Sequence, residues 1–166
     1  MRNIKTQDIA LTAVIAAIYA ALTLATFPIS FLGIQFRLSE IMIILAFFNR
    51  KYSFGLVLGC ALANLASPLG FYDVLFGTIA TLLTVLALCF IPYLAVNLFL
   101  AVAFNAFIVG AELYFLLGEG FWLSVASVAI GEAAVLLVGD IIFFFLRKNE
   151  GFMKAIKANR NLEYKF

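Results

Sequence analysis

Apolar runs long enough to enter a lipid bilayer follow one another along almost the whole 166-residue chain. An α-helix needs roughly 20 apolar residues to cross the hydrocarbon. Prolines, glycines and charges divide the chain into six such runs. The first is Ile9–Phe27, ended by Pro28. The second is short, Leu38–Phe48, closed by Asn49-Arg50-Lys51. The third, Tyr52–Ala66, stops at Ser67-Pro68, and the fourth, Asp73–Ile91, stops at Pro92. The fifth is Tyr93–Leu117, ended by Gly118-Glu119-Gly120, and the sixth is Phe121–Leu146, ended by Arg147-Lys148. This pattern predicts an all-α integral membrane protein, one six-transmembrane-helix bundle over residues 1–148, with a basic tail over residues 149–166. Only 12% of the residues are charged, against roughly 25% in soluble domains. The first run is longer than the apolar part of a signal peptide, about 7–15 residues, and reads as a first crossing.

The charges fix the orientation of such a bundle. Six crossings put Arg2, Lys5, Arg50, Lys51, Arg147, Lys148, Lys154, Lys157, Arg160 and Lys165 on one side and leave Arg37 alone on the other. Basic residues concentrate on the cytoplasmic side of membrane proteins. Both termini are therefore expected in the cytoplasm, in a multi-pass protein of the cytoplasmic membrane. An odd number of crossings would split the basic cluster. The outer side then holds the loop Pro28–Arg37, the break Ser67–Tyr72 and the turn Gly118–Gly120.

The stretch Leu58–Leu83 carries the densest information. Two apolar runs meet at Ser67-Pro68-Leu69-Gly70, with Asn64 just before the break and Asp73 just after it. Polar groups beside a broken membrane helix line cavities, since nothing in the hydrocarbon can satisfy them. Asp73 also stands where a helix N-cap would stand. Arg37 and Glu40, three residues apart, share a face at the same outer mouth. They read either as an interfacial ion pair or as a gate and ligand contact.

Deeper polar groups lie on the fifth and sixth runs. Counting from the outer turn at 1.5 Å per residue, Glu112 lies about 8 Å deep, Glu132 about 17 Å and Asn105 about 19 Å. A carboxylate at that depth costs a few kcal/mol unless it is paired or hydrated. No Lys or Arg within the runs is available as a partner. Unpaired acids point to a cationic or amine-bearing ligand, or to a proton. Tyr72, Tyr114 and Trp122 stand near the outer interface, as an aromatic belt or as stacking surfaces for a ring. Ala13, Ala17, Ala21 and Ala25 form a strip of small residues along the first helix, suited to close helix approach inside the bundle or with a partner.

Several function classes are excluded or disfavoured. The chain has no His, which removes most zinc sites and the usual general base. Cys60 and Cys89 lie inside apolar runs and read as small buried hydrophobes. No phosphate-binding Gly-rich loop with its Lys-Ser/Thr is present, so any ATP-driven step belongs to another subunit. No nucleophile–base pair points to an enzyme.

Five segments together resemble the QueT family: FRLSE (Phe36–Glu40), LGCALANLASPLG (Leu58–Gly70), DVLFGTIATLL (Asp73–Leu83), NAFIVGAEL (Asn105–Leu113) and IGE (Ile130–Glu132). The resemblance covers most of residues 13–146, in order. It implies the substrate-binding S component of an energy-coupling factor (ECF) transporter. Such a component captures a queuosine precursor, 7-aminomethyl-7-deazaguanine, outside the cell. It works with a transmembrane coupling subunit and two ATP-binding cassette ATPases. It has no cofactor, metal or nucleic acid of its own. The small-residue strip, here Ala13, Ala17 and Ala21, is then the docking surface for the coupling subunit.

The acids suit that ligand. A carboxylate accepts from the ring N1–H and exocyclic amine together, and a second carboxylate pairs with the cationic aminomethyl group. Glu132 and Glu112 are the expected carboxylates, in either order, and Asn105 the amide that donates to the ring carbonyl. Glu40, Asn64 and Asp73 are further candidates near the mouth. Three alternatives stay open: an S component for another vitamin, a stand-alone cation- or proton-coupled carrier, and a structural membrane subunit whose acids only hold helices together.

Overall fold

Helix boundaries follow the breakers closely. The structure is a computed structural model that describes residues 6–31 and 35–160. Arg2, Lys5 and Lys165, counted above for orientation, lie outside the described residues, as do residues 32–34 of the first loop. The elements are α1 (Thr6–Ala25), α2 (Phe27–Phe31), a 3-10 segment (Leu38–Ile43) running into α3 (Ile44–Phe48), a 3-10 turn (Arg50–Tyr52) running into α4 (Ser53–Asn64), then α5 (Phe71–Phe90), α6 (Leu94–Leu117), α7 (Phe121–Leu146) and the short α8 (Glu150–Ala155). No strand occurs among the described residues.

Four helices, α1, α5, α6 and α7, are long and apolar enough to cross a membrane. Their outward faces are covered with large apolar side chains, Phe99, Phe115, Trp122 and Phe145 among the most exposed. Such a surface belongs against lipid rather than water. The 11 residues of Leu38–Phe48 and the 12 of α4 are shorter than a full crossing. The 3-10 stretch partly compensates. It rises about 2.0 Å per residue against 1.5 Å for an α-helix, so this element reaches about 20 Å.

The helices form a ring in the order α1, α4, α5, α6, α7, closed between α7 and α1 by the Leu38–Ile43 segment and filled by α3. Ile43, Ile44, Phe47 and Phe48 are buried there with Leu56 and Leu88. Glycines set the closest approaches. A side chain at Gly59 would lie 2.7 Å from Tyr19 Cβ and 2.9 Å from Ala16 O, so α1 and α4 touch backbone to backbone. Gly110 does the same for α6 against Val125 of α7, at 2.9 Å.

Two sequence expectations are corrected. Pro28 does not end the first helix: α1 stops at Ala25, and Pro28 sits in the first turn of α2, where its missing N–H costs nothing. Asp73 is not a helix cap: α5 begins after Gly70, whose φ of +58° makes the turn. The described part of the tail packs against the bundle. Residues 149–160 fold back under its end, where Asn49 Nδ2 donates to Ile156 O at 3.2 Å and Lys157 O at 2.9 Å. Arg160 Nη1 donates to Leu88 O at 3.0 Å and Ile91 O at 3.2 Å, and Nη2 donates to Cys89 O. A guanidinium on these carbonyls complements the negative end of α5.

Candidate functional site

Arg37 and the six candidate ligand contacts of the sequence analysis are all buried, and the ring of helices brings them to one region. Glu40, Asn64, Asp73, Asn105, Glu112 and Glu132 are each at most 4% exposed. They divide into two adjoining groups with Arg37 between them.

The first group surrounds a narrow cavity. Gln35, Arg37, Glu40, Asn105 and Glu132 supply its polar walls, Val109 and Val128 its apolar ones. The cavity is slender, with room for about one water-sized sphere. Depth counting from the outer turn correctly puts Asn105 and Glu132 at one level, and Asn105 Nδ2 donates to Glu132 Oε1 at 3.3 Å. The same amide nitrogen donates to Ala101 O at 3.1 Å. Both of its protons are therefore used within the protein.

Glu40 is held from the opposite wall. Tyr19 Oη of α1 donates to Glu40 Oε1, and Thr81 Oγ1 of α5 donates to the same oxygen at 3.4 Å. Glu40 Oε2 is left buried without a partner. A second bond ties α1 to the 3-10 segment, Thr23 Oγ1 to Ser39 Oγ at 2.6 Å.

The second group lies at the α4–α5 break. Asn64 Nδ2 donates to Asp73 O at 2.9 Å and to Cys60 Sγ at 3.4 Å, so this amide braces the two broken ends. Ser67 Oγ donates to Asp73 Oδ2. The Glu112 carboxyl faces Asp73, yet Glu112 Oε1 and Oε2 and Asp73 Oδ1 have no donor. Two acceptor groups in contact require a donor from elsewhere, a proton or a ligand N–H. Glu112 is not among the residues of the Asn105–Glu132 cavity wall. It turns toward α5.

Arg37 overturns the expectation that the acids have no cation within reach. It is only 5% exposed and acts electrostatically on Glu40, Glu112, Asp73 and Glu132. Its guanidinium lies 5.3 Å from the Phe31 ring centre, and Nη1 is 3.9 Å from Cys60 Sγ. Gly77 leaves the room it needs: a Cβ there would stand 2.6 Å from Asn64 Nδ2 and 3.5 Å from Arg37 Nη1. Arg37 and Glu40 form no ion pair within 4.0 Å, unlike Lys51 with Asp8 and Lys154 with Glu150. Arg37 Nη2 is buried and unpartnered.

Tyr19, Thr81 and Cys60 carry no sequence signal for this site, since each is an ordinary residue of an apolar helix until the fold places it. Tyr72, Tyr114 and Trp122 are exposed on the outer surface and do not line the cavity. Ala13, Ala17, Ala21 and Ala25 are all exposed, because α1 turns Ile15, Ala16, Tyr19 and Thr23 inward. No cluster of potential metal ligands occurs among the described residues.

Comparison with known proteins adds a family. The model of the QueT transporter family matches residues 9–148. The Queuosine precursor transporter QueT of Lactococcus lactis subsp. cremoris (strain MG1363) is 34% identical over 164 residues, covering 89% of this chain and 96% of that protein. No solved structure matches.

Proposed function

The chain belongs to the QueT transporter family, and from that premise we propose that it is the substrate-binding S component of an ECF-type ATP-driven importer. Its ligand is a queuosine precursor, 7-aminomethyl-7-deazaguanine. It captures this compound at the outer face of the cytoplasmic membrane. A transmembrane coupling subunit and two ATPases complete the transporter. The crossings are six, α1, Leu38–Phe48, α4, α5, α6 and α7, with both termini inside.

One observation carries the ligand assignment. Four buried carboxyls, Glu40, Asp73, Glu112 and Glu132, surround one guanidinium, and Glu112 with Asp73 presents three oxygens that no protein group satisfies. Buried charge is tolerated when it is paired, and truncation studies put the cost of leaving it unpaired at several kcal/mol. A ligand ammonium supplies the missing partner. As it stands the cavity admits only about one water-sized sphere, so a ligand has to open it. A planar ring enters as the slender walls part.

The exposed Ala13, Ala17 and Ala21 support a partner surface on α1, where small residues let a second helix approach. A stand-alone cation- or proton-coupled carrier would use the same acids as its relay. Proteoliposomes separate the two readings. ATP-dependent accumulation of labelled 7-aminomethyl-7-deazaguanine only when coupling subunit and ATPases are present supports the proposal. Accumulation by the chain alone, driven by a proton gradient, would overturn it.

A further inference from the structure

The cavity lining offers one free donor and one free acceptor, a pair that can be matched to a ligand. Arg37 Nη2 and Glu40 Oε2 are both buried, both without partners, and both belong to side chains that line the cavity. Arg37 is the residue that caps the 3-10 segment and Glu40 lies in its first turn, with Glu40 N–H donating to Arg37 O at 2.9 Å. Both side chains line the same cavity from this one turn of chain. Neither group is spent on the other, since no ion pair joins them. Asn105, the amide that sequence reasoning assigned to the ring carbonyl, has no proton left to give.

A donor beside an acceptor is the complement of a cyclic amide, whose C=O accepts and whose adjacent N–H donates. We propose that Arg37 and Glu40 together read the lactam edge of an oxo-purine-like ring, Arg37 Nη2 donating to the carbonyl and Glu40 Oε2 accepting from the ring N–H, and that Asn105 is a positioning residue for Glu132. This rests on the ligand class proposed above and assigns the contacts within it.

The surrounding groups can serve the rest of such a ring. Along one side of a 7-aminomethyl-7-deazaguanine run the exocyclic amine, the ring N–H, the carbonyl and the aminomethyl group. Glu132 lines the same cavity as Glu40 and Arg37 and is the acceptor for the exocyclic amine. Asp73, at the α4–α5 break, and Glu112 are the acceptor pair for the ammonium. Tyr19 and Thr81 hold Glu40 by its other oxygen, which leaves Oε2 toward the ring.

The test is calorimetric titration of the full chain in detergent with 7-aminomethyl-7-deazaguanine and with its 6-deoxo analogue, which keeps the amine but lacks the carbonyl and the N1–H. Wild type should prefer the lactam by roughly 100-fold, the range for a hydrogen bond to a charged group. Glu40→Gln offers the ring an N–H where it needs an acceptor, and it should shrink that preference at least about tenfold. Arg37→Met should nearly abolish the preference, with folding checked by thermal unfolding. Asn105→Ala should weaken both compounds by the same factor. Equal wild-type affinity for the two compounds would refute the lactam assignment while leaving the ligand class intact. Preference unchanged in Glu40→Gln would refute the role of Glu40, and selective loss of the lactam in Asn105→Ala would return the carbonyl contact to Asn105. No wild-type binding of either compound would overturn the ligand class and the assignment with it.

Discussion

Replacing Glu112 by Gln should make the empty protein more stable and the ligand complex weaker. Glu112 and Asp73 face each other with three oxygens lacking donors. An amide at position 112 keeps the shape and adds an N–H that reaches Asp73 Oδ1. Hydrogen bonds to charged groups contribute roughly 1.5–3 kcal/mol, and relieving one buried orphan acceptor is worth a similar amount. Allowing for the two being one event, the gain is about 2 kcal/mol. At about 2–4 °C per kcal/mol for a chain of this size, the midpoint should rise by about 4–8 °C. Ligand affinity should fall by roughly 10- to 100-fold, about 1.4–2.8 kcal/mol, because one carboxylate no longer meets the ammonium. Thermal unfolding of the detergent-solubilised protein, with and without ligand, reads both effects. A variant that is less stable than wild type, or that binds the amine equally well, would show that Glu112 and Asp73 are already satisfied within the protein.

Three further perturbations test the surrounding architecture. Ala17→Trp should leave ligand affinity unchanged and abolish co-purification with the coupling subunit, since Ala17 is exposed on α1; retained co-purification would remove α1 as the docking face. Gly59→Val should destabilise by about 1–3 kcal/mol through overpacking and weaken ligand binding as well, because a side chain 2.7 Å from Tyr19 Cβ pushes away the phenol that holds Glu40. Arg160→Ala should cost roughly 1 kcal/mol of thermal stability by freeing the tail from the carbonyls of Leu88, Cys89 and Ile91, with ligand affinity unaltered.

Much of the fold is written in the breakers. The sixth run and α7 coincide at Phe121–Leu146, and the short second run coincides with the joined 3-10 segment and α3. Gly118 ends α6 with a φ of +69°, a conformation that favours glycine. Depth was legible too, because rise per residue is fixed: Asn105 and Glu132 meet as counted. Azimuth was not. An apolar helix such as the 24-residue α6 carries too little polarity to tell its buried face from its lipid face, so Glu112 could not be seen to turn toward Asp73. The same limit hid Tyr19 among the apolar residues of α1. Arg37 was misplaced for a different reason. Its position next to a proline-containing loop suggested the outer rim, and only the packing of the 3-10 segment between α1 and α7 carries it into the interior.

The central claim is that an acidic buried site selects a cationic deazaguanine, and ligand titration of the purified chain tests it most directly. Calorimetry with 7-aminomethyl-7-deazaguanine, 7-cyano-7-deazaguanine and guanine should show tight binding of the amine compound alone, with that binding lost or sharply weakened in Glu132→Gln. Equal binding of the cyano compound would contradict the pairing of carboxylate with ammonium.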